Sequence, residues 1–321
     1  LFRSGFGLVK LLWTEWRRRG VECLVGFAGD SLESFRRWAD RHLQDDVSRA
    51  LLAPWVLHSG LGPDEACSAL IGKLTFAAVV AGGMPVVQGG SEGVVRALQR
   101  VIERHGGHCR TGADVSEVIV DGQGRRARAT GVCVGNERLT ARRAVVCNVT
   151  PPQLYGRLWR NAPQPLQERA AAYRFGRGGM QIHFALNAPP RWADPEMARV
   201  PLVHLTESLE QVCASVVEAN NGLLPARPTL AIGQPTAVDP SRAPAGAAIL
   251  WVQMQELPTR LKGDAAGLIE VPADGQWTPA VREAMADRVQ ARLARVLPGL
   301  ADQIVGLKAY GPARSEEHTS E

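Results

Sequence analysis

The pentapeptide Gly89–Gly93 matches G-x-S-x-G, the pattern that places a nucleophilic serine on a sharp turn between a strand and a helix. A serine hydrolase built on Ser91 would need a later acid and base, which Asp114 with His183 or His204 could supply. The residues before Ser91 have a helical pattern, however, and no His-Gly-Gly oxyanion loop is present. We therefore keep the hydrolase as an alternative. The simpler interpretation is that Ser91 caps the following helix.

A second glycine pattern, Gly122–Ala127, fits G-x-G-x-x-[GA], in which glycines let a dinucleotide pyrophosphate reach the start of a helix. This pattern lies between two runs of β-type residues, and no helical pattern follows it. Pyrophosphate binding needs that helix, so we predict that Gly122–Ala127 forms a polar hairpin turn instead.

The cysteines and histidines show no spacing that binds metal. The six cysteines form no C-x-x-C pair, and the seven histidines form no H-x-x-x-H or H-E-x-x-H pair. We expect no metal site, and we expect His58, His105, His183 and His204 to be structural groups. Cys133 and Cys147 lie in apolar runs and are predicted to be buried. Unpaired cysteines are typical of a reducing compartment, so a cytoplasmic location is expected.

The basic residues are scattered, giving a net charge of +5, and this argues against nucleic-acid binding. The one dense run, Arg17–Arg19, follows Trp13 and Trp16 in a helical pattern. Arginines at a helix end are favoured by the helix dipole. A second interpretation is a peripheral membrane contact, with the tryptophans on one face and the arginines at its rim. The most apolar stretch, 66–87, contains Lys73, Gly82, Gly83 and Pro85 and is a poor membrane span.

The chain is long enough for about two domains, and 45% hydrophobic residues exclude a disordered or collagen-like protein. Apolar residues recur at helical spacing from Phe6 to Ala81, and an amphipathic helix is predicted over Glu92–His105, ended by Gly106-Gly107. Three strands are then predicted: Val115–Asp121, Ala129–Gly135 and Ala144–Asn148, the last buried on both faces.

A second β-rich block follows, in which Met180, Ile182, Phe184 and Leu186 alternate with other residues, as in a strand with one buried face. Further elements are predicted by the same patterns. They are strands at Leu202–Leu205, Thr229–Ile232 and Ile249–Gln255, and helices at Glu207–Ala219 and from Thr278 to Pro298.

The order of these motifs resembles a known family. Gly89-Gly90, the amphipathic helix, Gly106-Gly107, Thr111–Val118, Ala129–Val132 and Ala144–Asn148 follow one another as in FAD-dependent phytoene dehydrogenase-like oxidoreductases, relatives of amine oxidases and carotenoid desaturases. The later segments Pro189–Trp192 and Asp239–Gly246 extend the resemblance over almost the whole chain.

The resemblance implies an α/β fold that lacks the N-terminal Rossmann βαβ unit of the FAD-binding domain, with a mixed-sheet substrate domain and a helical region. It assigns 1–84 to the helical part of the substrate domain, 85–158 to the second lobe of the flavin domain and 159–313 to the substrate sheet and helices. Leu1 and the residues 314–321, which resemble translated adapter sequence, suggest that the chain is truncated at both ends.

The resemblance also implies FAD as the cofactor and hydride transfer from a lipophilic substrate to flavin N5, with no catalytic side chain that we can name. Carried over by position, the cofactor contacts would be Val115, Cys147, Asn148, Val149, Gly89 and Gly90. A non-catalytic binding protein on the same fold, like the Rab escort proteins, is a further alternative. The sequence leaves the substrate and the oligomeric state open.

Overall fold

The protein is described from a computed structural model that covers residues 4–122 and 124–312. The suspected non-native tail, 314–321, and Gln123 in the predicted hairpin turn lie outside the described residues.

The described residues form nine α-helices and ten strands. The helices are α1 (Ser4–Leu32), α2 (Phe35–His42), α3 (Asp46–Leu57), α4 (Ser68–Gly82), α5 (Glu92–Arg104), α6 (Gln164–Ala171), α7 (Leu209–Asn220), α8 (Pro279–Leu293) and α9 (Leu300–Gln303). The strands are β1 (Val115–Asp121), β2 (Arg128–Val134), β3 (Glu137–Thr140), β4 (Gly178–Leu186), β5 (Leu202–Leu205), β6 (Leu223–Leu224), β7 (Leu230–Gly233), β8 (Ala248–Leu257), β9 (Gly263–Asp264) and β10 (Ile304–Tyr310). The mixed α/β class predicted from the sequence is confirmed.

The chain divides into two compact units. One contains the residues up to Ser91 together with Arg177–Pro312, and the other contains Glu92–Gly176. The chain therefore leaves the first unit after Ser91 and returns to it at Arg177. The assignment of 1–84, 85–158 and 159–313 to a substrate domain and a flavin lobe stays a prediction.

The first unit is built on a five-stranded antiparallel sheet with the order β10-β4-β8-β7-β5. The predicted alternation in β4 is confirmed, because Met180, Ile182, Phe184 and Leu186 are each at most 1% exposed. Helix α8 also begins as predicted, with Thr278 accepting a hydrogen bond from the amide of Val281. The side chains of its apolar stripe are buried. One face of the sheet therefore packs in the core.

Four helices precede the sheet in this unit, as the helical pattern of 6–81 predicts. Helix α1 is interrupted at Gly20, whose φ of 80° and ψ of 171° are not helical. Helices α2 and α3 join α7 in one apolar cluster that includes Phe35, Val56 and Val212. Gly72 of α4 lies against Phe35, where a Cβ atom would come within 3.0 Å of the ring. These contacts fix the helical region against α7.

The second unit contains α5 and a three-stranded antiparallel sheet with the order β1-β2-β3. Helix α5 ends as predicted: Gly106 has a φ of 77°, and the amide of Gly107 donates to the carbonyl of Ile102. Strands β1 and β2 lie within one residue of their predicted bounds. The segment that joins them is a turn with a short 3₁₀ helix at Gly124–Arg126, so the hairpin interpretation is confirmed.

The predicted strand Ala144–Asn148 is wrong. This segment belongs to no strand, Val146 is 91% exposed, and the third strand of the sheet is instead β3. A strand forms only where a neighbour supplies hydrogen bonds along its length. No neighbour does so for this segment among the described residues. The burial predicted for the cysteines fails with it, since Cys147 is exposed and Cys133 only partly buried.

Candidate functional site

The face of the five-stranded sheet opposite the core forms one wall of a cavity of about 860 Å³. Gln181 and His183 of β4 reach this face because they alternate with the buried residues of the same strand. Ile249 and Trp251 of β8 do so for the same reason. The opposite wall comes from α4 and from the irregular segment Gly83–Val87 that follows it. The whole cavity lies within the first unit.

Trp251 lines the cavity and lies across the neighbouring strand. Its partner in β7 is Gly233, and a Cβ atom at that position would be 1.9 Å from Cε2 of the indole. Only a residue without a side chain leaves this space. The contact between Gly233 and Trp251 therefore positions the indole in the cavity wall.

His183 is a neutral polar group on the same wall. Burial lowers its pKa, so the imidazole is uncharged near neutral pH. The ring of Tyr310 packs edge-on against it, with 5.9 Å between the ring centroids. Among the described residues, no aspartate or glutamate lines the cavity. Those residues therefore offer His183 no carboxylate partner for acid–base catalysis.

The glycines Gly89 and Gly90 are held within the first unit. The amide of Gly89 donates to Oδ2 of Asp239 at 2.7 Å, and the amide of Gly90 donates to the carbonyl of Val87 at 2.9 Å. Hydrogen bonds from Ser241 and from Gly89 hold the pKa of Asp239 below its usual range. Both glycine amides thus have protein partners. A cofactor contact at these residues stays a prediction, and Gly89 could make one by close approach, since the space beside its Cα is open.

The structure does not support a nucleophile elbow at Ser91. The residues from Gly83 to Gly90 form no strand, so the required strand–turn–helix is absent. Ser91 and His183 do line the same cavity. Asp114 belongs to the second unit, where its carboxylate pairs with Arg157 at 3.4 Å.

A chain of hydrogen bonds joins α3 to the same sheet face. The Nε2 atoms of His58 and His204 are 2.9 Å apart, and Nδ1 of His58 lies 3.2 Å from Nε2 of Gln255. A carboxamide nitrogen only donates, so His58 accepts from Gln255 and donates to His204. Burial, helped by the neighbouring His58, lowers the pKa of His204 to about 4. Both imidazole rings therefore have hydrogen-bond partners within the protein, and their structural role stays a prediction.

The remaining predicted cofactor contacts lie in the second unit. Val115 is the first residue of β1 and pairs with Val134 of β2. Cys147, Asn148 and Val149 are exposed in the irregular segment that was predicted to be a strand. No group of three or more His, Cys, Asp or Glu side chains in the described ranges could hold a metal ion.

Comparison with known proteins supports the resemblance. The chain is 26% identical over 219 residues to a zeta-carotene-forming phytoene desaturase from Myxococcus xanthus, covering 68% of this chain and 40% of the desaturase. It has the fold of an oxidoreductase from Methanosarcina mazei, with a TM-score of 0.53, 15% identity and coverage of 97% of this chain and 61% of that one. A protein from Pyrococcus furiosus is similar, with a TM-score of 0.53, 14% identity and coverage of 87% and 58%. No family model matches the chain.

The chain is thus similar in sequence to a phytoene desaturase and in fold to an oxidoreductase. It spans less than two thirds of the length of each of these proteins. Within residues 4–122 and 124–312, no helix combines the length and the apolar character needed to cross a bilayer.

Proposed function

We propose that this chain is part of an FAD-dependent oxidoreductase that removes hydride from a lipophilic substrate. The observation that carries the proposal is the cavity over the sheet, whose wall, as far as the structure describes the chain, is largely aliphatic and holds no carboxylate. Such a wall suits binding and orientation of an apolar substrate rather than proton transfer by a pair of side chains. The similarity to a phytoene desaturase supports the same class of reaction.

Three of the residues predicted to contact FAD, Cys147, Asn148 and Val149, lie on an exposed segment that could contact an extended molecule. The segment Ala144–Val149 is irregular, and Val146 and Val149 are 91% and 42% exposed. A backbone outside any strand ladder and with exposed apolar side chains has both hydrogen-bonding groups and contact surface to offer. The cofactor would be held by Cys147, Asn148 and Val149 of this segment and by Val115 at the start of β1. The Rossmann βαβ unit that binds its pyrophosphate would lie in a longer protein.

Bound FAD would supply the hydride acceptor, its N5 atom. The residues of this chain would orient the substrate and exclude water. Trp251 and the aliphatic side chains of Val79 and Met84 offer apolar contact, and Gln181 and His183 offer neutral hydrogen-bonding groups. No side chain of this chain would need to accept the hydride. The part of this chain would therefore be to position the substrate.

The proposal can be tested by filling the cavity. Ala78 of α4 lines it, whereas the adjacent Ala77 does not, so Ala78→Trp and Ala77→Trp form a matched pair on one helix. In a longer, FAD-containing form of the protein, phytoene and decanoate serve as probes. We expect at least one of them to perturb the absorbance spectrum of the bound flavin. Ala78→Trp should abolish that perturbation and Ala77→Trp should retain it, with flavin content unchanged in both. A perturbation that survives Ala78→Trp would place the substrate elsewhere.

The alternatives predict different results. A serine hydrolase would be labelled at Ser91 by a fluorophosphonate probe, and we expect no labelling of the folded protein. A non-catalytic binding protein would bind the apolar probe but contain no flavin.

A further inference from the structure

Among the described residues that line the cavity over the sheet, one side chain, that of Arg242, is charged. The other residues that line it are aliphatic, aromatic or neutral polar groups, and His183 is uncharged because burial lowers its pKa. No carboxylate is among them. A single positive charge in an otherwise neutral, largely apolar cavity calls for a physical explanation.

The guanidinium of Arg242 is held face-on against the backbone of Gly90. A Cβ atom at Gly90 would lie 3.1 Å from Cζ, 3.3 Å from one terminal nitrogen and 3.4 Å from the other. Such similar distances to three atoms of the plane mean that Gly90 sits over its face. The N–H donors lie in the plane of the group, so this contact uses none of them. Gly90 has a φ of +105° and no side chain, and it leaves room for the packing.

No hydrogen bond or ion pair engages the side chain of Arg242 within the described part of the chain. The nearby carboxylate of Asp239 interacts with it electrostatically, but its oxygens accept hydrogen bonds from Gly89 and Ser241. Other shielded arginines of this unit differ: Arg36, Arg177 and Arg288 each have a carboxylate oxygen within 2.6 to 2.8 Å. Arg242, also half-buried, has its donors available to a ligand.

We propose that Arg242 binds an anionic group, a carboxylate or a phosphate, at one end of an amphiphilic substrate. The apolar remainder of that substrate would lie against Trp251 and the aliphatic wall formed by α4 and Gly83–Val87. The inference rests on the proposed function, since it takes this cavity as the substrate site. It separates this protein from a desaturase of pure hydrocarbons, which would gain nothing from a cation in the pocket.

Binding of short amphiphiles to the purified chain tests the proposal without flavin. Isothermal titration calorimetry would compare decanoate, decyl phosphate and the neutral 1-decanol. We expect at least one anion to bind about tenfold or more tightly than 1-decanol, because a charge-assisted hydrogen bond typically contributes that much. The better anion identifies the head group. Added NaCl should weaken anion binding and leave 1-decanol unaffected.

Two substitutions assign the effect to Arg242. Arg242→Gln should reduce anion affinity to that of 1-decanol, and Arg242→Lys, which keeps the charge, should retain part of the preference. Arg199→Gln, at an exposed arginine that does not line the cavity, should behave like the unsubstituted chain. If Arg242→Gln fails to fold, the salt dependence of anion binding and the affinity of Arg242→Lys for the anions still test whether Arg242 binds the anionic group.

Three results would overturn the inference. One is equal binding of 1-decanol and both anions, and another is anion binding that survives Arg242→Gln. The third is inorganic pyrophosphate binding as tightly as decyl phosphate, which would assign Arg242 to a nucleotide phosphate. Because the experiment uses no flavin, it can fail while the longer protein still contains FAD. Conversely, anion binding through Arg242 together with a longer protein that contains no FAD would contradict the proposed function and leave the anion site standing.

Discussion

A contact between Gly233 and Trp251 positions the indole in the wall of the cavity. The indole occupies the space that any side chain at residue 233 would need, and β-strand register places the two residues opposite each other. This arrangement is a close packing of a large side chain against bare backbone. Substitution at either residue therefore changes both stability and cavity shape.

We expect Gly233→Ala to destabilise the protein by about 1–3 kcal/mol, because the added methyl group would force the indole out of its place. Urea unfolding would measure the loss, and a changed tryptophan emission would report the displaced ring. Gly306→Ala is the matched control, since a Cβ at that strand residue would meet nothing closer than 3.8 Å. Equal stability of the two variants would mean that Trp251 does not lie across Gly233.

The pair His58 and His204 makes stability depend on pH. The folded pKa of His204 is about 4, below its ordinary value of 6.5, so the unfolded chain binds more protons between these values. Stability should therefore rise as the pH increases from about 4 to 6.5, by at most about 1.4 kcal/mol per pH unit for this residue. Unfolding curves measured across this range would show the slope.

His204→Leu removes the titrating group, so the slope should decrease even though the variant is less stable at every pH. The exposed His42 is the control, and His42→Gln should retain the slope of the original chain. An unchanged slope in His204→Leu would show that the buried pair does not cause the pH dependence.

At the scale of elements, the strength of local patterning decides which parts can be predicted from sequence. Strands β1, β4 and β8 have apolar runs or alternation, and the predictions match them to within one or two residues. Strand β10 was missed because it is an edge strand with mostly exposed residues and no alternation. Strand β3 has only four residues and little apolar character.

The wrong prediction of a strand at Ala144–Asn148 shows that an apolar run alone does not determine a strand. Its residues have the apolar run typical of a buried parallel strand, but a strand also needs partners. Partners come from the fold and not from the segment itself. The site has the same limit, because Asp239 reaches Gly89 across 150 residues and no local pattern signals that contact.

Helix α1 is the element for which we propose a membrane contact. Trp13 and Trp16 are 51% and 48% exposed, and Arg17 packs over the ring of Trp13. The interruption at Gly20 follows directly after Arg19, so the basic run lies at the end of the first helical part. Exposed indoles beside arginines suit the interface of an anionic bilayer.

We expect the chain to sediment with phosphatidylserine vesicles and less with phosphatidylcholine vesicles. Replacing Arg17, Arg18 and Arg19 by glutamine should weaken binding on the order of 100-fold, since each arginine near such a surface contributes about 1 kcal/mol. Arg142→Gln with Arg143→Gln, a basic pair without neighbouring tryptophans, should have little effect. Binding that does not depend on Arg17–Arg19 would contradict a contact through α1.

At the scale of the whole molecule, the two units would have different tasks. The first contains the complete cavity, and the second contains the exposed segment with the predicted cofactor contacts Cys147, Asn148 and Val149. The chain covers 40% of the phytoene desaturase that it resembles. We therefore propose that this chain binds the substrate and that FAD-dependent oxidation takes place in a longer protein.

The flavin content of that longer protein is the decisive measurement for this division of function. The gene product that contains this chain would be purified by gel filtration, and its flavin absorbance would be compared with its protein concentration. We predict stoichiometric FAD in the longer protein and little or none in the 321-residue chain alone. A longer protein that stays colourless after incubation with FAD would contradict the account, as would a 321-residue chain that retains stoichiometric FAD.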